Sequence, residues 1–243
     1  MLLITTLTFV SLAMKGGSYV YYFENFIDAS KLTSFINPFL EFLSSVGINF
    51  FGNDPVSAGF GLFNAGGIIF MIIGIGLSKT LADKYGKRNV FGLFLLIATL
   101  FILFFNFFKP TSIRLIFGAQ ILHGFFYGIT IPLLWAMIAD VADYSEWKNN
   151  RRATAIIFSA MMVGLKLGLS VGGALVTKIL DFYGYDASTN TIQSLDAILG
   201  TKLLVSIYPA IPFFIAVGLL FFYEINKSME NQIEKDLKQR RNK

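Results

Sequence analysis

Apolar residues in this chain fall into long blocks separated by short polar stretches, near residues 1–26, 56–78, 89–108, 112–138, 152–180 and 203–223. A helix needs about 20 apolar residues to cross a bilayer, and each block is of that order. Backbone groups in lipid must be paired within the chain, so the blocks predict helices, not open sheet. The connection over residues 28–55 contains "LTSFINPFLEFLSSVG", which is apolar on one side only and predicts a helix lying in the membrane interface. The last residues, "NKSMENQIEKDLKQRRNK", predict a charged, partly helical tail. The fold class is an all-α membrane protein, with a transmembrane bundle over residues 1–226 and a tail over 227–243. The first block has neither a basic region before it nor a small-residue cleavage site after it, which argues against a signal peptide.

Composition sharpens this. Of 243 residues, 55% are hydrophobic and 27 are Phe, only 14% are charged, and the mean hydropathy is +0.64. There is no cysteine and one histidine, His123, so thiol catalysis, disulfides and cysteine- or histidine-clustered metals are excluded as readings. No nucleophile stands with a base, and no enzyme activity is expected. The net charge of +5 does not call for nucleic acid. Lys79, Lys84, Lys87, Arg88, Lys148, Arg151, Arg152 and the tail hold 13 of the 20 basic residues on one side of the membrane. The other side holds five: Lys31, Lys109, Arg114, Lys178 and Lys202. The excess places the tail in the cytoplasm, and with an even number of spans Met1 as well.

Two cations interrupt the apolar blocks. Lys166 follows Arg152 by 14 residues, or about 21 Å of helix, which is near the centre of a hydrocarbon core about 30 Å thick. A lysine there costs at least about 2.5–3.5 kcal/mol and is rarely left facing lipid. Gly164, Gly168 and Gly172 form a small-residue stripe suited to close helix packing, and Lys166 points nearly opposite it. The lysine therefore predicts a polar cavity; snorkelling to an interface is the alternative. Lys15 is the second such cation, followed by Gly16 and Gly17 and then by Tyr19, Tyr21 and Tyr22. These tyrosines suit either sugar stacking or an interfacial aromatic belt. Asn64, Gln120 and Trp135 are further cavity candidates, and Pro132, Pro209 and Pro212 predict kinks.

The acidic residues Asp140, Asp143 and Glu146 end one helix, and Arg151 and Arg152 begin the next. Both placements oppose the helix dipole, so ion pairing, among themselves or with a partner, explains them better than helix-end optimisation. A solvated loop with weak surface pairs is the alternative.

Two motifs carry a family resemblance. "SKTLADKYGKRNV", with Leu81, Ala82, Asp83, Gly86, Lys87 and Arg88, resembles the short cytoplasmic loop of the major facilitator superfamily, with Lys79 where its first glycine is usual. The stretch with Ala139, Asp140, Asp143, Tyr144, Glu146, Trp147, Lys148, Arg152, Phe158, Ser159, Lys166 and Gly168 resembles the glycoside–pentoside–hexuronide:cation symporters, the melibiose permease-like group. "AMKGGSYVYYFENFID" resembles their seventh helix. The resemblance covers nearly the whole chain but only the C-terminal half of a full-length member.

The resemblance implies a six-helix bundle equivalent to the C-terminal half of a major facilitator fold, in the inner cell membrane, working by alternating access. Lys166, Lys15, Tyr19 and Trp135 are then expected at the substrate, and Asp140, Asp143, Glu146, Arg151 and Arg152 in a cytoplasmic gate. Asp83, Gly86, Lys87 and Arg88 would form the superfamily loop. Expected partners are a sugar or glycoside, the bilayer, and an N-terminal six-helix half in the same or a separate chain. No cofactor or metal is expected beyond a coupling Na⁺ or H⁺, whose site would lie mainly in that other half. A non-transporting remnant, an interaction subunit and a homodimer of halves remain as rivals, the last bringing two copies of Lys166 face to face.

Overall fold

Glycine decides which helices touch. The computed structural model describes residues 1–47, 54–188 and 192–241. Residues 48–53 of the expected interfacial connection and 242–243 of the expected tail lie outside the described residues. The helices are α1 (Leu2–Asn25), α2 (Ala29–Ser45), α3 (Pro55–Tyr85), α4 (Lys87–Phe104), α5 (Ile113–Asn149), α6 (Thr154–Phe182), α7 (Leu195–Leu204), α8 (Ile207–Leu219) and α9 (Lys227–Arg241). No strand occurs among the described residues. Asp28, Asp54 and Ser194 begin α2, α3 and α7 by accepting hydrogen bonds from the backbone N–H groups of Lys31, Ser57 and Ala197, each satisfying one of the donors a helix start leaves free.

Five segments are long and apolar enough to cross a membrane: α3, α4 with its following turn, α5, α6, and α7–α8 taken together. α1 falls outside that set, because threonines, serines, tyrosines and Lys15 dilute its apolar content, but its 24 residues extend about 36 Å. It lies parallel to α6 along the stripe of glycines. A Cβ built on Gly164 would come 2.7 Å from Leu2, one on Gly168 would come 2.5 Å from the Thr6 carbonyl oxygen, and one on Gly172 would come 2.5 Å from that of Val10. A second parallel seam joins α3 to α5. There a Cβ on Gly74 would collide with the Phe125 carbonyl, one on Gly124 with that of Gly67, and one on Gly128 with that of Met71. α4 packs on α5, and α8 on α1 and α4, around a core including Phe91, Leu95, Ile102, Met137 and Phe213. An aromatic cluster of Tyr19, Tyr22, Phe23, Phe63 and Phe105 fills the other end.

The helices depart from the hydropathy blocks at their ends. α5 runs to Asn149 and α3 to Tyr85, each well past the apolar part, so both project beyond a core about 30 Å thick. The last crossing begins at Leu195, ahead of residue 203, and breaks at Val205–Ser206. Pro209 lies in the first turn of α8, where its missing N–H costs no internal bond, and it cannot donate back to Val205. Pro132, by contrast, sits inside a continuous α5. Gly86 alone separates α3 from α4: its φ of +85° is a conformation that only glycine adopts readily, and its N–H closes α3 on the Ala82 carbonyl.

Gly168→Ala should destabilise the bundle by about 1–3 kcal/mol through overpacking. Gly173→Ala, which meets nothing within 4 Å, should be neutral or slightly stabilising. Thermal unfolding of the two variants in detergent, followed by circular dichroism, makes the comparison.

Candidate functional site

The charged residues outside the apolar blocks gather at the end of the bundle where α3 stops, α4 starts and α5 emerges. Lys87, the first residue of α4, places its Nζ 2.6 Å from Asp140 Oδ1 on α5 and 2.9 Å from Glu230 Oε1 on α9. The lysine and aspartate side chains are 24% and 13% exposed, so this junction is shielded more than a surface pair. Arg152, between α5 and α6, reaches Asp143 at 3.8 Å and Glu146 at 3.6 Å. Its side chain is 56% exposed, and pairs of that length and exposure contribute about 0–1 kcal/mol each. Arg151 is exposed, and its carbonyl accepts from the Ser145 hydroxyl. Asp83 is exposed, its carbonyl accepting from Lys227 at 2.6 Å, while Arg88 is half-buried beside Gly92 and Leu220.

α9 completes this end. Ile225 before it and Ile233 and Leu237 within it are buried, with Met229 packed alongside. These positions recur every four residues, one face of a helix. Trp147 donates its indole N–H to Asp236 at 2.8 Å. Arg240 donates to the Trp147 carbonyl and to Asn150 Oδ1, and Lys227 covers the last carbonyls of α3 at Asp83 and Lys84. A cleft of about 350 Å³ remains, with Lys87, Asp140, Asp143 and Glu230 in its wall. The sequence reading assigned Lys87 to the loop motif alone and left Glu230, Asp236 and Arg240 out. The four-residue spacing of Ile225, Met229, Ile233 and Leu237 was the available signal that the tail packs.

The structure does not bring the two membrane lysines together. Lys15 lies on the α1 face opposite the one that meets α6, and is 7% exposed, with its Nζ 5.5 Å from the Tyr19 ring centre. Lys166 lies on the α6 face opposite the glycine stripe and is exposed. The α1–α6 pair therefore separates them. Neither makes an ion pair among the described residues, and no acidic residue occurs in 2–23, 55–82, 87–139, 154–180 or 197–223. Tyr19 is buried against Phe63 and Phe105 and donates its hydroxyl to Gln120 Oε1 at 2.9 Å, which leaves it no open ring face for a sugar. Trp135 is half-buried against the core.

α1 and α5 share a polar seam. His123 lies 3.0 Å by Nδ1 from the Ala98 carbonyl, which can only accept, so Nδ1 carries the hydrogen. The Ser11 and Tyr22 hydroxyls are buried with no hydrogen-bond partner among the described residues, an unusual state for buried polar groups.

Comparison with known proteins gives these features a setting. The family model described as MFS/sugar transport protein matches residues 39–227. A putative glycoside/cation symporter of Escherichia coli (strain K12) is 34% identical over 51% of this chain and 27% of its own length. An isoprimeverose transporter of Lactiplantibacillus pentosus is 30% identical over 81% of this chain and 41% of its own length. An uncharacterized 29.9 kDa protein of Pseudescherichia vulneris is 32% identical over 65% of this chain and 57% of its own length. The chain thus matches between about a quarter and three fifths of the length of these relatives.

Docking of α9 should depend on pH. Hydrogen bonds from Trp147 and then Gln232 hold the Asp236 carboxyl below the usual carboxylate range. A carboxyl lowered in the folded state stabilises docking fully above its unfolded value of about 3.9, and that contribution is lost as pH falls through the lowered value. Trp147 fluorescence should therefore report loosening of the tail in acid below about pH 4, and Asp236→Asn should weaken docking at neutral pH and flatten the transition.

Proposed function

We propose that this chain, which belongs to the MFS/sugar transport protein family, is the C-terminal six-helix half of a cation-coupled sugar or glycoside symporter. Membership makes it a multi-pass membrane protein of a transporter family, not an enzyme. In this reading the bundle moves as a near-rigid body against an N-terminal half, with both termini in the cytoplasm of the inner membrane. The substrate is a sugar or glycoside, and the coupling ion is Na⁺ or H⁺.

One observation carries the reading: Lys166 is an exposed ammonium near the middle of α6, inside its apolar stretch, and makes no ion pair among the described residues. An uncompensated cation there is costly, and a transporter cavity between two halves at the midplane supplies its hydration and partners. A substrate oxygen or a carboxylate of the facing half would complete it. Lys15, turned into the bundle, then acts on the shape and charge of the α1–α5 seam without touching the substrate. Trp135 stays a cavity candidate on α5.

The charges at the cytoplasmic end divide into two roles. Lys87–Asp140, short and shielded, braces α4 against α5 throughout the cycle. Arg152, with its long exposed contacts to Asp143 and Glu146, exchanges these for contacts across the halves as the cytoplasmic side closes, and Arg151 is free to do the same. Asp83, Gly86 and Arg88 hold the α3–α4 corner against the membrane surface.

A relative of 29.9 kDa favours one second reading, a transporter assembled from two half-length chains. Crosslinking in native membranes separates a homodimer from a pairing with a distinct N-terminal half.

Uptake of labelled glycosides into cells that produce the chain with its N-terminal half tests the function. Lys166→Gln and Arg152→Gln should abolish most uptake while leaving thermal stability within about 0.5 kcal/mol of the parent. Asp140→Asn should instead lower stability by about 1–3 kcal/mol, because it leaves Lys87 a partner short. Undiminished uptake by Lys166→Gln would overturn the cavity assignment.

A further inference from the structure

At the end of the bundle opposite α9, helix α2 carries more apolar surface than the bundle covers. Leu32 and Ile36 are buried, Leu32 filling the space left by Gly59 on α3. The neighbouring stripe is open: Phe35, Phe39, Phe42 and Val46 are 37%, 50%, 60% and 55% exposed. Phe35 turns its ring edge to Phe117 of α5 at 5.1 Å. Lys31, Ser34, Asn37, Glu41, Ser44 and Ser45 are among the exposed residues on the rest of the surface. The helix is therefore apolar over an arc about twice as wide as its contact with the protein.

Its depth is fixed by its neighbours. The N–H of Asp28 donates to the Pro110 carbonyl at 3.1 Å, tying the start of α2 to the corner before α5. Leu32 meets α3 at Gly59 and Phe35 meets α5 at Phe117, each four residues inside a membrane-crossing helix, or about 6 Å along it. Helices that lie in a membrane surface bury their apolar face to about 5–10 Å.

Beside the first half of α2 is a cleft of about 390 Å³, where Lys31 and Arg114 stand with the hydroxyl-bearing Ser34, Thr111 and Ser112 above Phe35. No carboxylate lines it. The nearest acid in sequence, Asp28, is committed to the start of α2, accepting from the Lys31 N–H at 3.0 Å and the Ser30 hydroxyl at 3.2 Å. Lys31 and Arg114 make no ion pair among the described residues. The cleft thus offers two cations and several hydroxyls to an anion, at the level where a bilayer keeps its phosphates, and its floor continues into the open aromatic stripe.

We propose that α2 lies in the lipid monolayer with Phe35, Phe39 and Phe42 among the acyl chains, and that the Lys31–Arg114 cleft holds the phosphate of an anionic glycerophospholipid. Charge complementarity and the continuity of apolar surface from cleft to stripe select a lipid over a protein partner. The inference rests on the chain crossing a membrane, not on what it transports, so loss of uptake would leave it standing.

The chain contains no cysteine, so Phe42→Cys provides a single spin-labelling site in the otherwise unaltered chain. In vesicles containing phosphatidylglycerol, the label should be reached by oxygen and shielded from a water-soluble nickel chelate. A label open to nickel overturns the monolayer placement, and one shielded from both reagents means that protein, a second copy or another chain, covers the stripe. Native mass spectrometry reads the headgroup. Phosphatidylglycerol should be retained in preference to phosphatidylcholine, and Lys31→Gln with Arg114→Gln should weaken that retention about tenfold. The control pair Lys178→Gln with Lys202→Gln should leave it unchanged. Equal retention of the two lipids, or no effect of the first pair, overturns the phosphate site.

Discussion

Close approach of backbone to backbone along two glycine seams is the constraint on which the rest of this bundle depends. Lipid removes the hydrophobic gain that drives helices together in water, so association relies on contact at short range. Gly164, Gly168 and Gly172 let α6 rest on the carbonyls of α1, and Gly74, Gly124 and Gly128 let α5 rest on α3. Both seams join parallel helices, and together they fix how each of the four is rotated. That rotation sends Lys15 inward, turns Lys166 outward and sets Tyr19 beside Gln120. α4 and α8 then close the outside with ordinary side-chain packing.

Charge is distributed to match. Away from the ends of the apolar blocks the charged residues are Lys15 and Lys166, whereas the carboxylates lie at helix ends, in loops and in the tail. At the end capped by α9, acids and bases satisfy one another within the bundle, in one shielded junction at Lys87 and one exposed fork at Arg152. Lys166, by contrast, is an exposed ammonium on α6 with no ion pair among the described residues.

Much of this was legible in the sequence because hydropathy and small-residue spacing act locally. Long helices run through each apolar block, and the glycines spaced every four residues on α6 face α1. The equivalent spacing of Gly124 and Gly128 was equally visible and went unread, hidden among the many glycines of α3 and α5. What sequence spacing does not carry is rotation between helices. Spacing alone gave Lys15 and Lys166 no relative placement, and the α1–α6 seam, with Gly164 against Leu2 and Gly172 against Val10, puts them on opposite sides and at different levels. Ion-pair partners were opaque for the same reason, since Lys87 and Asp140 are 53 positions apart. The helix ends were missed because lipid-scale hydropathy stops at the membrane surface while α3 and α5 continue past it.

The position of α9 has a consequence for how the molecule is made. Its partners are Lys87 on α4, Trp147 and Asn150 at the end of α5, and the final carbonyls of α3. All of these leave the ribosome, and their helices enter the bilayer, before α9 is synthesised. Translation at about 5–20 residues per second leaves that end of the bundle open for several seconds after α5 is complete. During that interval Asp140 and Lys87 have only each other, and the apolar ground later covered by Ile233 and Leu237 faces water. Attachment of α9 thus has to follow insertion of α3, α4 and α5, and the charged junction at Lys87 is completed by Glu230 only at that later step.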